Sequence, residues 1–433
     1  MKRKAVVVGA GISGLSVSRM LSENYNVKVL EKSAKIGGLI KCDRIEGSLF
    51  HRVGGHVFNS KNQKVLDWFW KHFDRDNEFL QAVRNAKILM NERLLGYPIE
   101  NYLYQLPEKI IRTITGELIA ILKEGNKHAI YDNFEDFLLG KFGNTLYNLY
   151  FGPYNRKIWN TDISKVPLEW LDGKLPMPQI EEVILSNILR KEEKGMVHST
   201  FYYPKKDGSQ FIINRLAQSL DISVSYTVSN IGVNKNKISV NKNSLSADVL
   251  VYCGDIRELL SVIDIDDSDL KKALSDVTDL PSNGTSNVLC ETNCNDISWL
   301  YLPEDKFKAH RIIYTGNFSE TNNEGTDRKT CVVEFSGKHS EEVMMKELQL
   351  LPGNLKPIAF NYEPNSYIIQ HKDTRSKVST LKKSLAQYNI FLLGRFAEWE
   401  YHNMDKCIEG AMELSEELCK LRDFSQANET LNA

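Results

Sequence analysis

Gly9, Gly11 and Gly14, followed by Glu31, have the residue types and spacing that can hold a dinucleotide. Glycines let the backbone turn tightly and let a pyrophosphate come close. Leu15 to Leu21 carry a helical apolar pattern, so a helix N-terminus with free N–H groups and a positive dipole end would face the phosphates. Glu31 stands at the end of a second apolar run and can accept hydrogen bonds from a ribose diol. A lone GxGxxG is a weak signal; strand, glycines, helix, strand and acid in this order are a strong one. On these residues alone the dinucleotide could be NAD or FAD. A metal is not expected: there is no CxxC, and Cys290 and Cys294, four apart, have no His or Cys pair nearby to complete a zinc site. The seven cysteines read instead as buried or free thiols of a reducing compartment.

The elements that must position these residues follow from the apolar periodicity. Residues 4–8 read as a buried parallel strand and Val27–Leu30 as a second. Val224–Ile231 and Lys237–Val240 read as short strands, and 247–253 as a strand ending at Gly254. Residues 60 to about 170 look mainly helical and aromatic-rich, as in Val65-Leu66-Asp67-Trp68-Phe69-Trp70 and Phe134–Tyr150. Residues 285–375 contain alternating runs such as Lys329–Phe335 and Ser366–Gln370, which suggest a sheet. A last strand is expected at 389–394, then a helix from Asp405 to Leu421 and a frayed polar end from Arg422.

Past Glu31 the segment Lys32-Ser33-Ala34-Lys35-Ile36-Gly37-Gly38 resembles the extended fingerprint of FAD enzymes of the glutathione-reductase and amine-oxidase type. The resemblance implies FAD, with Val228 near the adenine, and it makes the 247–255 segment the strand that returns to the FAD domain. The expected fold class is α/β: a Rossmann-like FAD-binding domain in discontinuous segments, with a helical insertion domain and an antiparallel β-sheet substrate domain. The segments would be 1–60, 205–280 and 385–425 for FAD, 61–180 for the mainly helical insertion, 181–204 and 281–384 for the substrate sheet, and 426–433 as a tail.

Five segments together resemble the UDP-galactopyranose mutase family, and more the eukaryotic-type enzyme than the common bacterial one. Gly54-Gly55-His56-Val57-Phe58 is similar to a GGHV stretch that puts Gly55 and His56 beside the flavin. Gly96-Tyr97-Pro98-Ile99-Glu100-Asn101 is similar to a loop used at the nucleotide, with Glu100 where the family has Gln; ionised Glu only accepts, whereas Gln also donates. Pro153-Tyr154-Asn155-Arg156-Lys157-Ile158-Trp159 resembles a run near flavin and nucleotide, and Lys174 stands for an Arg that holds the substrate. Trp299-Leu300-Tyr301-Leu302-Pro303-Glu304-Asp305 with Arg311, and Gly394-Arg395 with Tyr401, Asn403 and Met404, complete the set. The resemblance implies that Tyr301, Arg311, Arg395 and Tyr401 meet the diphosphate, since Arg donors pair with phosphate oxygens. It places Gly394, Asn403 and Met404 at the flavin, and, more loosely, Tyr367 at the diphosphate and His198 near flavin and sugar. Asn59 stands where the eukaryotic-type enzyme has a Phe against the base.

What the resemblance implies is a sugar-nucleotide mutase that interconverts pyranose and furanose forms, UDP-galactose or a related nucleotide sugar being the substrate, for cell-surface glycan precursors. The flavin, once reduced, acts as the nucleophile at the anomeric carbon; Arg311 and Arg395 hold the leaving diphosphate, Lys174 helps to hold the substrate near the flavin, and His56 supports the flavin. No separate NAD(P)H domain is visible, so an external reductant such as NAD(P)H is expected. The competing expectations are a net oxidoreductase of the amine-oxidase or protoporphyrinogen-oxidase type, and a non-catalytic FAD-binding protein. With 55 Lys and Arg against 56 Asp and Glu, the net charge of −1 speaks against a nucleic-acid binder. The apolar run after Met1-Lys2-Arg3-Lys4 breaks at once into glycines, and no run approaches the ~18 apolar residues of a spanning helix. A cytoplasmic protein without a membrane span is expected, with a homo-oligomer as an open option.

Overall fold

A computed structural model describes residues 2–124, 131–168, 179–190, 200–234, 237–242, 244–323 and 328–431. The opening run Arg3–Val8 is the middle strand of a five-stranded parallel sheet, in the order 390–392, 249–252, 3–8, 25–30 and 221–223. Ala5 pairs with Val249 on one side and with Val27 on the other. Ala5, Val6 and Val7 are buried, as a parallel strand covered on both faces requires. Helix Ile12–Leu21 returns across the sheet and buries Leu15, Val17 and Leu21 completely; each such side chain contributes about 1.5–3 kcal/mol. The last helix, Met404–Leu431, packs along it and adds Ala411, Leu414 and Leu418 to the same core. It runs on through 422–431, the stretch expected to fray, because no Gly or Pro follows Ala411 to stop it.

Two expectations are corrected. Val224–Ile231 is not a strand: pairing ends at Ser223 and resumes at Ile231. Between them the chain leaves the ladder and follows the 31–33 turn, with Ser225 N–H donating to Ser33 O (3.0 Å) and Tyr226 N–H to Glu31 O (2.9 Å). The strands Ile231–Asn234, Lys237–Val240 and Leu245–Ala247 then form the antiparallel meander, with Ile263–Asp264 added in parallel.

The second correction concerns the helical reading of 60–170. Phe79–Val83 pairs with Thr200–Pro204, and Ala86–Met90 and Arg93–Gly96 form a hairpin. Asn91 and Glu92 both take positive φ (48° and 61°), the two-residue turn that suits the twist of a hairpin. This hairpin is one edge of a seven-stranded sheet, in the order 356–368, 282–292, 329–336, 309–313, 299–301, 86–90 and 93–96. Helices Glu108–Glu124, Phe134–Leu146 and Gly152–Trp159 lie beside this edge, and Ile114, Leu118, Phe137 and Leu146 share one core with Ile88, Leu95 and Tyr301. The seven-stranded sheet and the parallel sheet each present residues to one cavity.

Candidate active site

One cavity of about 510 Å³ runs between the two sheets. Its floor is the glycine turn. Gly9 has φ +106°, and a Cβ on Gly14 would lie 2.0 Å from Gly9 O, so neither tolerates a side chain. Helix Ile12–Leu21 begins with no side-chain cap and no acid in its first turn, which leaves its N–H groups for an anion. Gly37 N–H donates to Ala10 O (2.9 Å), and a Cβ on Gly38 would lie 3.3 Å from Gly11 Cα, so the second glycine pair seals directly onto the first. The Glu31 carboxylate is oriented by Ala10 N–H and Ser33 N–H, both at 2.8 Å. Gly9, Gly11, Gly14, Glu31, Gly38, Gly55, His56, Val228, Gly394, Asn403 and Met404 all line this one cavity. The uncapped helix start, the Cβ-free cradle and the oriented acid fit the diphosphate and ribose of FAD.

His56 is half-buried, with its Nε2 inside, and neutral. Burial, then the Arg395 charge, push its imidazole down to about 4. Its Nε2 has no partner among the described residues, while a hydrogen bond ties the ring to the Leu39 backbone.

The opposite wall carries cations and phenols. Arg395 donates to His402 O (3.0 and 2.7 Å) and to Ser366 O (3.1 Å), and its guanidinium lies 4.3 Å from the Tyr401 ring centre. Tyr401 stacks on Tyr367 at 5.9 Å, and Trp159 meets both rings edge-on at 5.9 and 5.6 Å. Arg311 is differently placed. Its Nη2 donates to both oxygens of Glu334 (2.8 and 2.9 Å) and to the Tyr367 hydroxyl (3.0 Å). Burial alone would raise the Glu334 carboxyl, but Arg311 and then His310 hold it far below the usual carboxylate range. Arg311 is thus a neutralised, fixed cation at the cavity wall, not a free one.

Tyr301, Arg311, Tyr367, Arg395 and Tyr401 line the cavity; Tyr97, Tyr154 and Trp159 stand one layer behind. Tyr97 stacks on Tyr301 at 4.6 Å and Tyr154 meets it edge-on at 5.5 Å. Lys157 Nζ donates to Leu302 O (2.8 Å) and Glu304 O (2.6 Å), which binds the helix carrying Tyr154 to the turn after Tyr301. Glu100 and Asn101 do not reach the cavity lining: both are buried in a short turn, where Glu100 O accepts from Asn187 Nδ2 (2.7 Å). Asn59 is spent on Thr200 O at 2.7 Å. Lys174 and His198 lie outside the described residues.

Arg84, absent from the sequence reading, also lines the cavity. Its guanidinium lies 4.7 Å from the Tyr97 ring, 5.3 Å from Trp299 and 5.9 Å from Tyr301, and it donates to the Tyr301 hydroxyl. Burial opposes its charge, but the Tyr301 and Tyr97 hydroxyls outweigh that and raise its pKa. Arg84 and Arg395, both half-buried, have no carboxylate partner among the described residues, so two cations face the cavity without an acid to offset them. No motif surrounds Arg84 in the sequence. Glu334 did leave a signal, as the one acid in the apolar run Cys331-Val332-Val333-Glu334-Phe335. Among the described residues no group of His, Cys, Asp or Glu could hold a metal, and no helix is long and apolar enough to cross a membrane.

Residues 7–73 match the model of a family described as an NAD(P)-binding Rossmann-like domain. The chain is 26% identical over 274 residues to the UDP-galactopyranose mutase of Mycoplasma pneumoniae, an alignment that covers 59% of this chain and 62% of that one. It is 23% identical over 436 residues to the mutase of Mycoplasma genitalium, covering 93% of this chain and 91% of that one. Its fold is similar to that in a crystal structure of reduced UDP-galactopyranose mutase, at TM-score 0.85 and 19% identity, with 97% of this chain and 94% of that chain covered.

Proposed function

We propose that this chain is an FAD-dependent sugar-nucleotide mutase, interconverting pyranose and furanose forms of UDP-galactose or a related nucleotide sugar. The observation that carries the reading is the pair of half-buried cations, Arg84 and Arg395, which have no carboxylate partner among the described residues, beside the fixed Arg311 on the wall opposite a dinucleotide cradle. An amine or apolar substrate would leave that charge unanswered, whereas a nucleoside diphosphate of about −2 to −3 charge answers it.

In this reading the diphosphate lies against Arg395 and Arg84, with the Tyr301 and Tyr401 hydroxyls as further donors, while the Tyr367 hydroxyl donates to Glu334 and keeps Arg311 in place. When bound and reduced, the flavin supplies the nucleophile for the anomeric carbon. The chain holds the leaving diphosphate in place, so that it is available to return to the same carbon after ring opening and reclosure. Neutral His56 adds no positive charge beside the cofactor. Lys174 and His198 remain proposed sugar-side residues, and Glu100 and Asn101 contribute only through the turn behind Tyr97. The eukaryotic-type character is likewise proposed, on the run Trp299–Asp305. An external reductant such as NAD(P)H and a cytoplasmic location belong to the same reading.

The test is anaerobic incubation of dithionite-reduced protein with UDP-galactofuranose, beside an oxidised control, followed by chromatography. Conversion to UDP-galactopyranose only when reduced is the expected result. A yellow, folded protein that converts no sugar nucleotide but consumes oxygen with an amine substrate would replace this reading with the oxidase one.

A further inference from the structure

His310 and Arg311 are neighbours in one strand, Ala309–Ile313. In a regular strand their side chains would point to opposite faces of the sheet. The register across to strand Lys329–Ser336 slips at this point: Ala309 pairs with Phe335, yet Arg311 pairs with Glu334. Two steps on one strand therefore match one step on the other, which is a β-bulge, a device that re-aims a side chain. Its consequence is that consecutive residues reach the same carboxylate. His310 Nε2 lies 2.9 Å from Glu334 Oε1, and Arg311 Nη2 lies 2.8 Å from the same oxygen.

The protonation of the pair follows from the chemistry. Glu334 is ionised and can only accept, so His310 Nε2 carries the hydrogen. Burial holds His310 neutral, and its Nδ1 lone pair is buried without a partner among the described residues. The imidazole thus makes one bond in the interior, and that bond goes to Glu334. Glu334 in turn accepts from Arg311 and from the Tyr367 hydroxyl (3.0 Å), the two cavity-wall residues it holds together. Neither His310 nor Glu334 lines the cavity.

We propose that His310 is a positioning residue for the diphosphate site: across the bulge it holds Glu334 in the orientation that fixes Arg311 and Tyr367 at the cavity wall. This rests on the proposed function for the identity of the ligand, and on the geometry alone for the arrangement. His310→Phe keeps a ring but removes the donor, while His310→Gln keeps an N–H donor.

The experiment measures flavin content and the Kd for UDP of the FAD-loaded parent and both variants, together with kcat and KM for UDP-galactofuranose when reduced. His310→Phe should keep its flavin and weaken UDP about tenfold, the size of one lost hydrogen bond to a charged group. His310→Gln should return to within about threefold of the parent, a rescue that a packing role would not give. UDP binding within twofold of the parent in His310→Phe, or an equal loss in both variants, would overturn the proposal. A parent that binds no UDP would overturn the proposed function instead. Crystal structures of the parent and His310→Phe then decide the positioning role: Arg311 and Glu334 must separate in the variant, and an unchanged pair refutes it.

Discussion

The guanidinium carbon of Arg84 lies 4.7 Å from the centre of the Tyr97 ring, and Tyr97 stacks on Tyr301 at 4.6 Å. The cation is therefore held by aromatic faces and by the Tyr301 hydroxyl, with no carboxylate among the described residues to quench it. Aromatic rings orient a guanidinium at a cost far below that of a buried acid, and they leave its charge available to a ligand. Arg84 lies in the short link between strands Phe79–Val83 and Ala86–Met90, inside the stretch whose apolar spacing suggests mainly helix.

Arg84→Met should accordingly retain flavin but raise the Kd for UDP by roughly ten- to a hundredfold, the range of one or two charge-assisted hydrogen bonds. Arg84→Lys keeps the charge but loses the planar stack, and should fall between. Titration of UDP against each protein, followed by the flavin absorbance, checks this. Equal affinity in parent and Arg84→Met would remove Arg84 from the ligand site.

The legible part of this protein is the part whose chemistry is local in sequence. The glycine turn, Glu31, Gly37-Gly38 and the strand at 249–252 each announce themselves within a few residues, because a diphosphate cradle is built from consecutive backbone. Four strands of the five-stranded sheet were legible as short apolar runs, while the edge strand Asp221–Ser223 was not, since it carries one apolar residue between two polar ones. The hairpin 86–96 was hidden because Asn91-Glu92 is not a common turn pair, and because the strongly amphipathic helices on either side set the reading for the whole region. Arg84 was hidden because its partner Tyr301 lies 217 residues away, and Glu334, although marked as an acid in an apolar run, gave no hint of Arg311, 23 residues before it. Glu100 resembled a ligand residue in its motif, yet its turn faces Asn187 and not the cavity.

Gly14→Ala should abolish FAD binding with little effect on the seven-stranded sheet. The new Cβ would sit 2.0 Å from Gly9 O, and both atoms belong to backbone that is pinned, Gly9 by its N–H to Leu30 O at 2.7 Å. Relief requires the turn to open, at a local cost of roughly 3 kcal/mol or more. The purified variant should carry less than about a tenth of the parent's flavin at 450 nm, since a misplaced turn loses the helix N–H groups along with the glycine contact. Full flavin occupancy would show that the cradle is not formed by this turn.

Arg395→Ala should behave differently, losing turnover but not the cofactor. The side chain binds the 402 and 366 carbonyls and faces Tyr401, while Gly394, Asn403 and Met404, which line the same cavity, are the residues of this region proposed to meet the flavin. Flavin absorbance near the parent's, with kcat/KM for UDP-galactofuranose down by about a thousandfold, is the expected pair of results if this half-buried Arg binds the diphosphate. Loss of flavin would show that Arg395 acts by shaping its loop, and unaltered turnover would remove it from the site.

Stability should fall as the solution is acidified from about pH 6.5 to about pH 4, ahead of the range in which ordinary carboxylates titrate. His51 is pushed down to about 3 and His56 to about 4, in both cases by burial first, and His310 is lowered by burial as well. Each binds a proton in the unfolded chain near pH 6.5 but stays neutral in the folded one. Between the two values the unfolded state holds more protons, so each unit of acidification costs up to about 1.4 kcal/mol per histidine. Glu363 and Asp405, whose carboxyls burial raises, act in the opposite sense and reduce the net slope. Urea unfolding of the FAD-loaded protein at pH 7, 6 and 5 should therefore show a falling free energy with a positive slope against pH. Replacing His51, whose Nε2 lies 2.7 Å from the Tyr203 hydroxyl, by Gln keeps a polar partner but removes the titration. The slope of His51→Gln should then be shallower than the parent's. An equal slope would mean that His51 is protonated in the folded state, and that the Cys42, His51 and Tyr203 cluster admits a charge that its burial argues against.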